Sequence, residues 1–278
     1  MSTHDDHDDF GGLQRDLLAT GAAMDRRGLL RLAAKLGGAM GALQLFGCGA
    51  ESPTAPASTQ TPTTPGTPTT GACSPIPGET AGPFPGDGSN GPNVLGLTGV
   101  ERSDIRSSFA GLSGTADGVP LTIVLTIVSA STCAPLAGRA VYLWECDRQG
   151  RYSLYNAGVT NQNYLRGVQQ ADANGTLSFT AIYPGCYAGR WPHIHFEVYP
   201  TLTAATNVAN KVATSQIALP KTTSDLVYAT AGYEASVGNL SRVTLASDNV
   251  FSDGAALELP TVTGSVAAGF TATLTVAI

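Results

Sequence analysis

Residues 184–196 read PGCYAGRWPHIHF, and the fold and chemistry of the chain follow from how that stretch is understood. It carries Tyr187, Arg190, His193 and His195. The remaining histidines, His4 and His7, lie in an N-terminal tail read below as leaving on export. Residues two apart in a β-strand point to the same face, so a strand over 193–199 brings both imidazoles into one site. Two imidazoles are half of a metal site and need further ligands. Glu197 shares their parity and is the one acidic option, while Cys186 lies just upstream. The neighbourhood is otherwise phenolic: Tyr183 and Tyr187 are close, with Tyr142, Tyr152, Tyr155 and Tyr164 further back. A phenol has an ordinary pKa of about 10, so it binds well only to a strongly Lewis-acidic ion. Ferric iron is such an ion; zinc rarely recruits two tyrosines.

Strand signals surround this stretch. The β-branched run LTIVLTIV at 121–128, AVYLW at 140–144 and the alternating segments at 176–182, 193–199, 215–219 and 270–278 all read as strands. Between them stand the turn formers CAPLAG (133–138), DRQG (147–150) and DANG (172–175). Helical periodicity is weak, with a short helix expected near 224–228, and no internal repeat is visible. The fold class expected is mainly β: an antiparallel β-sandwich with long loops and few short helices over 73–278, enough chain for a substantial core.

Upstream the composition changes twice. Residues 49–72 form a Pro/Thr/Ser tract without apolar periodicity, the signature of a solvated, extended linker. Residues 1–48 hold Arg26 and Arg27 ahead of an apolar, Gly/Ala-rich run ending at Phe46. An arginine pair in that setting reads as a twin-arginine export signal. The run is broken by Arg31 and Lys35 and falls short of the roughly 20 apolar residues of a membrane-spanning helix. The sequence LFGC at 45–48 resembles a lipobox, in which a lipidated Cys48 would tether the protein to the cell envelope. The alternatives are a periplasmic or secreted protein.

Net charge is −6 with 13% charged residues, and no basic cluster appears in the C-terminal two thirds, which excludes a nucleic-acid surface. Five cysteines occur without CxxC spacing. In an oxidising compartment Cys73, Cys133, Cys146 and Cys186 allow three pairings that sequence does not rank.

The motifs together resemble the intradiol ring-cleavage dioxygenases, the catechol and protocatechuate dioxygenase family. PGCYAGRWPHIHF is similar to the family's P-G-x-Y-x-G-R-x-x-H-I-H segment, and GETAGPFPGDG to its E-T-x-G-P loop. RSDI, the block CAPLAGRAVYLWECDRQGRYS, the run YLRGVQQADANGTLSFTAIYPG and the later SQI, DLVY and DNVF extend the similarity over almost all of 73–278. The resemblance implies a non-haem Fe(III) site held by Tyr152, Tyr187, His193 and His195. It implies Arg190 as an active-site cation and Gln216 as the catechol dioxygenases' glutamine just outside the metal ligands, with Tyr152 as the ligand that leaves and takes a proton. The implied partners are a small aromatic diol and O2, the implied product a cis,cis-muconate-type diacid. Arg166 supports the site or packs structurally. Arg148 and Arg151, flanking Tyr152, are candidates for receiving a substrate carboxylate. Trp191, Pro192 and Cys186 depart from the usual family pattern. Two other classes fit parts of the sequence: an exported β-sandwich binding module with a structural metal, and a zinc hydrolase using the His pair with Glu197. The oligomeric state is left open.

Overall fold

A computed structural model describes residues 73–278. The arginine pair, the lipobox and the Pro/Thr tract expected within 1–72 lie outside the described residues. Among the described residues eight strands form two four-stranded sheets. The first, in the order β4 (Thr176–Ile182), β1 (Pro120–Val128), β8 (Gly269–Ala277), β7 (Thr261–Ser265), shows a one-sided pattern. Leu121, Ile123, Leu125 and Ile127 of β1, and Phe270, Ala272, Leu274 and Val276 of β8, are buried, while the alternate threonines are half-buried or exposed. Period-2 alternation of this kind makes one wet face and one core face.

The second sheet runs β3 (Arg166–Gln170), β2 (Ala140–Trp144), β5 (His193–Tyr199), β6 (Ala213–Ala218). Every residue of β2 and β5 is buried, so here both faces are covered. Val141, Leu143, Ile194, Phe196, Val198 and Ile217 face the first sheet and share its core. Tyr142, Trp144 and Tyr199 belong to a separate apolar cluster on the outer face, beneath the loops carrying Phe84 and Tyr152. Truncating a core residue such as Phe196 to Ala would cost about 3–5 kcal/mol.

The expected sandwich is present, with one correction. β1 pairs with β8 in parallel, Leu121 opposite Phe270 through Val128 opposite Ala277; all other ladders are antiparallel. The two strands are joined by the whole second sheet and the helices, a crossover long enough for parallel pairing, which local alternation does not disclose. The expected strands are in place, β6 starting two residues earlier than read; β3 and β7 are additional. The helix near 224–228 is α1 (Lys221–Tyr228), followed by α2 (Glu234–Leu240). Among the described residues no helix is long and apolar enough to cross a membrane. Of the four cysteines left open, Cys73 and Cys133 form a disulfide, while Cys146 and Cys186 are free and buried.

Candidate metal centre

The site grows from one cross-strand row. Arg166 of β3 lies opposite Trp144 of β2, Trp144 opposite His195 of β5, and His195 opposite Gln216 of β6. In register, these four side chains occupy one line across the outer face of the second sheet. His193, two residues before His195, joins the same face. The other donors come from loops. Tyr152 stands on the turn after β2, which Asp147 folds by accepting from the Gln149 and Arg151 amides at 2.9 and 3.0 Å and from the Arg151 guanidinium at 2.8 and 3.0 Å. Tyr187 stands on the loop between β4 and β5. The loops are closely apposed: a side chain at Gly150 would meet Tyr187 Cβ at 3.0 Å, and Gly150 has φ +80°, so glycine is required there on both counts.

From behind, the helical segment holds the Tyr187 loop. Tyr233 and Tyr228 donate to the carbonyls of Tyr183 and Pro184 at 2.7 and 3.0 Å. Ser236 accepts the Cys186 amide at 2.9 Å, and Asn239 donates to the Cys186 carbonyl at 2.8 Å. Burial pushes the Cys186 thiol up to about 12, which makes it an inert packing residue.

Four donor atoms converge. Nε2 of His193 lies 3.0 Å from Nε2 of His195, 3.1 Å from the Tyr187 oxygen and 3.3 Å from the Tyr152 oxygen; His195 Nε2 is 3.1 Å from Tyr152. Ligands about 2.0–2.1 Å from a shared ion are separated from one another by roughly 3 Å, so the spacing suits a common ion. Protonation states fit as well. Burial, then Arg190, drives the His193 pKa well below its ordinary value. His195 is lowered by burial, then by His193. Both imidazoles are therefore neutral. His193 donates Nδ1–H to the Trp191 carbonyl, which leaves Nε2 as a bare lone pair. The Tyr152 phenol is pushed far up by burial and by Tyr187, so only a strong Lewis acid would ionise it.

The surrounding aromatics fix ring orientation. Trp144 stacks on His195 with centroids 5.0 Å apart and planes 3° from parallel, and Phe84 stacks on Tyr152 at 4.9 Å. Arg190 is fully buried, donates Nε–H to Asp248 at 3.0 Å and donates to the Gln216 carbonyl at 2.8 Å. Gln216 in turn donates to the Thr80 carbonyl at 2.9 Å.

Every residue expected at the site is thus brought together: Tyr152, Tyr187, His193, His195, Arg190 and Gln216. Arg166 is structural. Fully buried, it donates to Pro85 O at 2.7 Å, Ser153 O at 2.9 Å, Ser153 Oγ at 3.0 Å and Tyr142 Oη at 3.3 Å, clamping the Tyr152 turn to the loop at Pro85. Gly86, with φ +65°, lets that loop approach; a Cβ there would meet the guanidinium at 2.8 Å. Glu197 does not join the donors, since Lys211 and Tyr199 hold its carboxylate at 2.7 and 2.6 Å. Among the described residues no group of three or more His, Cys, Asp and Glu converges. Arg151 is tied to Asp147, and Arg148 reaches Asp117 at 3.7 Å, so both cations offered for a substrate carboxylate are engaged elsewhere. Nothing in the local sequence marks Asp248 or Trp144 as belonging to the site. DNVF was visible as a motif, but nothing local says that its aspartate meets an arginine 58 residues earlier.

The family model Dioxygenase_C, described as dioxygenase, matches residues 91–196. An intradiol ring-cleavage dioxygenase from Tetranychus urticae superposes with a TM-score of 0.58 at 24% identity, covering 74% of this chain and 95% of that one. The dioxygenase Tetur07g02040 gives 0.59 at 24%, covering 74% and 94%. Catechol 1,2-dioxygenase from Pseudomonas arvilla C-1 is more distant, at 0.43 and 18%, covering 72% and 60%. No curated protein matches the chain. The chain therefore shares its fold with the Tetranychus urticae enzyme, and the match over the segment that holds Tyr152, Tyr187, Arg190, His193 and His195 supports the dioxygenase family.

Proposed function

We propose that this chain is a non-haem Fe(III) dioxygenase that cleaves a catechol-type aromatic diol between its two hydroxyl-bearing carbons, giving a cis,cis-muconate-type diacid. The observation that carries the proposal is the convergence of two imidazoles and two phenols in a buried site, with His193 Nε2 lying 3.0–3.3 Å from each of the other three donor atoms and His195 Nε2 3.1 Å from the Tyr152 oxygen. That donor set fits a hard, strongly Lewis-acidic ion, and Tyr152, Tyr187, His193 and His195 would hold it. Bound there, ferric iron would supply the electron-withdrawing centre that makes a chelated diolate reactive toward O2.

The chain's own groups do the rest. His193 keeps Nε2 available because Nδ1–H is committed to Trp191. Tyr152 Oη would be a phenolate while it holds the ion; because burial favours its neutral form, it would take the proton of one diol hydroxyl as the diol enters. Arg190 is a fixed cation that opposes negative charge developing on the diol. Gln216, bonded to both Arg190 and Thr80, keeps that cation in place. Phe84, Trp144 and Phe251 are buried apolar walls that limit water at the reacting carbon.

The test is colour and turnover. Purified protein should contain iron, show a tyrosinate charge-transfer band that shifts with catechol, and convert catechols to muconates in air. A colourless, iron-free preparation that stays inactive after ferrous or ferric loading would sink this reading. We propose in addition that the protein is exported through the Arg26/Arg27 signal, with Cys48 as a lipid anchor. The Cys73–Cys133 disulfide supports this, because such bonds persist in oxidising compartments. Replacing both arginines by lysine should retain the protein in the cytoplasm, and normal export of that variant refutes the assignment.

A further inference from the structure

Asp248 lies in the segment after α2, far from the donors in sequence, and its carboxylate accepts from four groups. It is fully buried, as is Arg190. Its Oδ2 accepts from Arg190 Nε at 3.0 Å and from the Trp191 amide at 2.6 Å. Its Oδ1 accepts from the Val250 and Phe251 amides at 2.9 and 3.1 Å. The two loop amides fix the carboxylate, so it does not follow the arginine; the arginine is held to it. On the other side Gln216 receives the guanidinium at 2.8 Å, and Phe251 lies 5.9 Å beneath it. The same oxygen that holds Arg190 also holds the Trp191 amide, and the Trp191 carbonyl receives His193 Nδ1–H.

Resting on the dioxygenase reading above, we infer that Asp248 is a positioning residue with two outputs. It orients the Arg190 cation toward the bound diol, and through Trp191 it seats His193. A carboxylate anchored by four donors suits this role better than simple charge balance. A single ion pair would neutralise Arg190 without fixing its plane, whereas the Nε contact to Asp248 and the second contact to Gln216 define the plane of the guanidinium.

The experiment compares the full-length wild type with Asp248→Asn, Arg190→Gln and the double variant, all loaded with iron. Asp248→Asn should lower kcat about 10- to 100-fold with KM for catechol little changed, and should shift the charge-transfer band of the catechol complex. On the Arg190→Gln background the same substitution should cost clearly less than in the wild type, because only the output through Trp191 to His193 remains. Additive losses, or wild-type kcat in Asp248→Asn, overturn the inference. Removing one partner of a buried pair is strongly destabilising, so if Asp248→Asn fails to fold it is replaced by Asp248→Glu, which keeps the charge but displaces it by a methylene. Reduced kcat with an unchanged unfolding midpoint supports the inference; wild-type kcat overturns it. A readout free of turnover separates this inference from the dioxygenase reading. In metal-free protein the Trp191 amide and the Arg190 Nε proton should exchange slowly, and Asp248→Asn should release both while the sandwich stays folded; unchanged protection overturns the role whatever the wild type catalyses.

Discussion

Trp144 lies flat on His195, the rings 5.0 Å apart and 3° from parallel, and the two residues are also register partners on β2 and β5. The sheet therefore sets the ring orientation, and the stack locks it. His195 has need of this. Its Nδ1 is buried with only the Thr80 backbone near it, whereas that of His193 donates to the Trp191 carbonyl. Truncating Trp144 to Ala should cost about 3–5 kcal/mol of stability and weaken metal binding about 10- to 100-fold. Trp144 Nε1 is itself unpartnered, so Trp144→Phe keeps an aromatic face and forfeits no hydrogen bond; it should retain most of the affinity. Metal titration of the three proteins checks this, and equal affinities would show that the stack does not orient His195.

Arg166 opens the same cross-strand row and clamps two loops. Lysine keeps the charge but not the planar fork. Arg166→Lys should leave the Pro85 and Ser153 carbonyls underserved, at about 1–3 kcal/mol for each buried acceptor left unpaired. The Tyr152 turn would loosen with it, since Ser153 is the clamped residue. The expected result is a lower denaturant midpoint together with a weaker tyrosinate band from Tyr152. A full-strength band in a destabilised protein would limit Arg166 to the fold.

Much of this was legible beforehand, for identifiable reasons. His193 and His195 sit in a strand whose period places them on one face, and short-range geometry needs no tertiary knowledge. Tyr152, Tyr187, Arg190 and Gln216 came from motif resemblance, and the geometry groups them. What stayed hidden depends on contacts between distant segments. β2 and β5 are buried on both faces, so their alternation does not tell core from site. The parallel pairing of β1 with β8 is a property of the crossover, which puts Phe270 149 positions after its partner Leu121. Asp248 is one aspartate beside an asparagine in a loop until Arg190 is placed against it. Cys146 and Cys186 were open to pairing, and only the fold shows Cys73 meeting Cys133.

The neutral imidazoles give the metal-free protein a definite acid response. Burial, joined by Arg190 on His193 and by His193 on His195, holds both pKa values well below the ordinary histidine range. The unfolded chain protonates them near about 6.5, whereas the folded chain resists. The stability they confer is therefore present above that pH and lost as the pH falls below it, with a slope approaching about 2.7 kcal/mol per pH unit for two groups. Denaturant midpoints of metal-free wild type and a His193→Gln/His195→Gln variant between pH 7 and 5 check this. The wild type should lose stability faster; parallel curves would contradict the assignment. Loading with iron should raise the midpoint across the range, since the ion binds only the folded donors.

Glu145 gives the opposite response from a position next to the site strand. It is buried at 1% exposure, with only the Ile182 backbone to assist its carboxylate. Burial pushes its pKa well above the ordinary carboxyl value, opposed only in part by the Ile182 backbone. The folded state therefore prefers the protonated acid, while the unfolded chain ionises near about 4.3. Glu145 costs the protein least below that pH, and the penalty grows as pH rises, by up to about 1.4 kcal/mol per unit, until the folded group ionises as well. Glu145→Gln removes the ionisation and keeps the shape. The difference in unfolding free energy between the variant and wild type isolates this residue from the histidines, which both proteins share. It should be small at pH 4 and favour the variant increasingly toward pH 7. A difference that stays flat across that range would mean that Glu145 finds a partner the fold does not reveal.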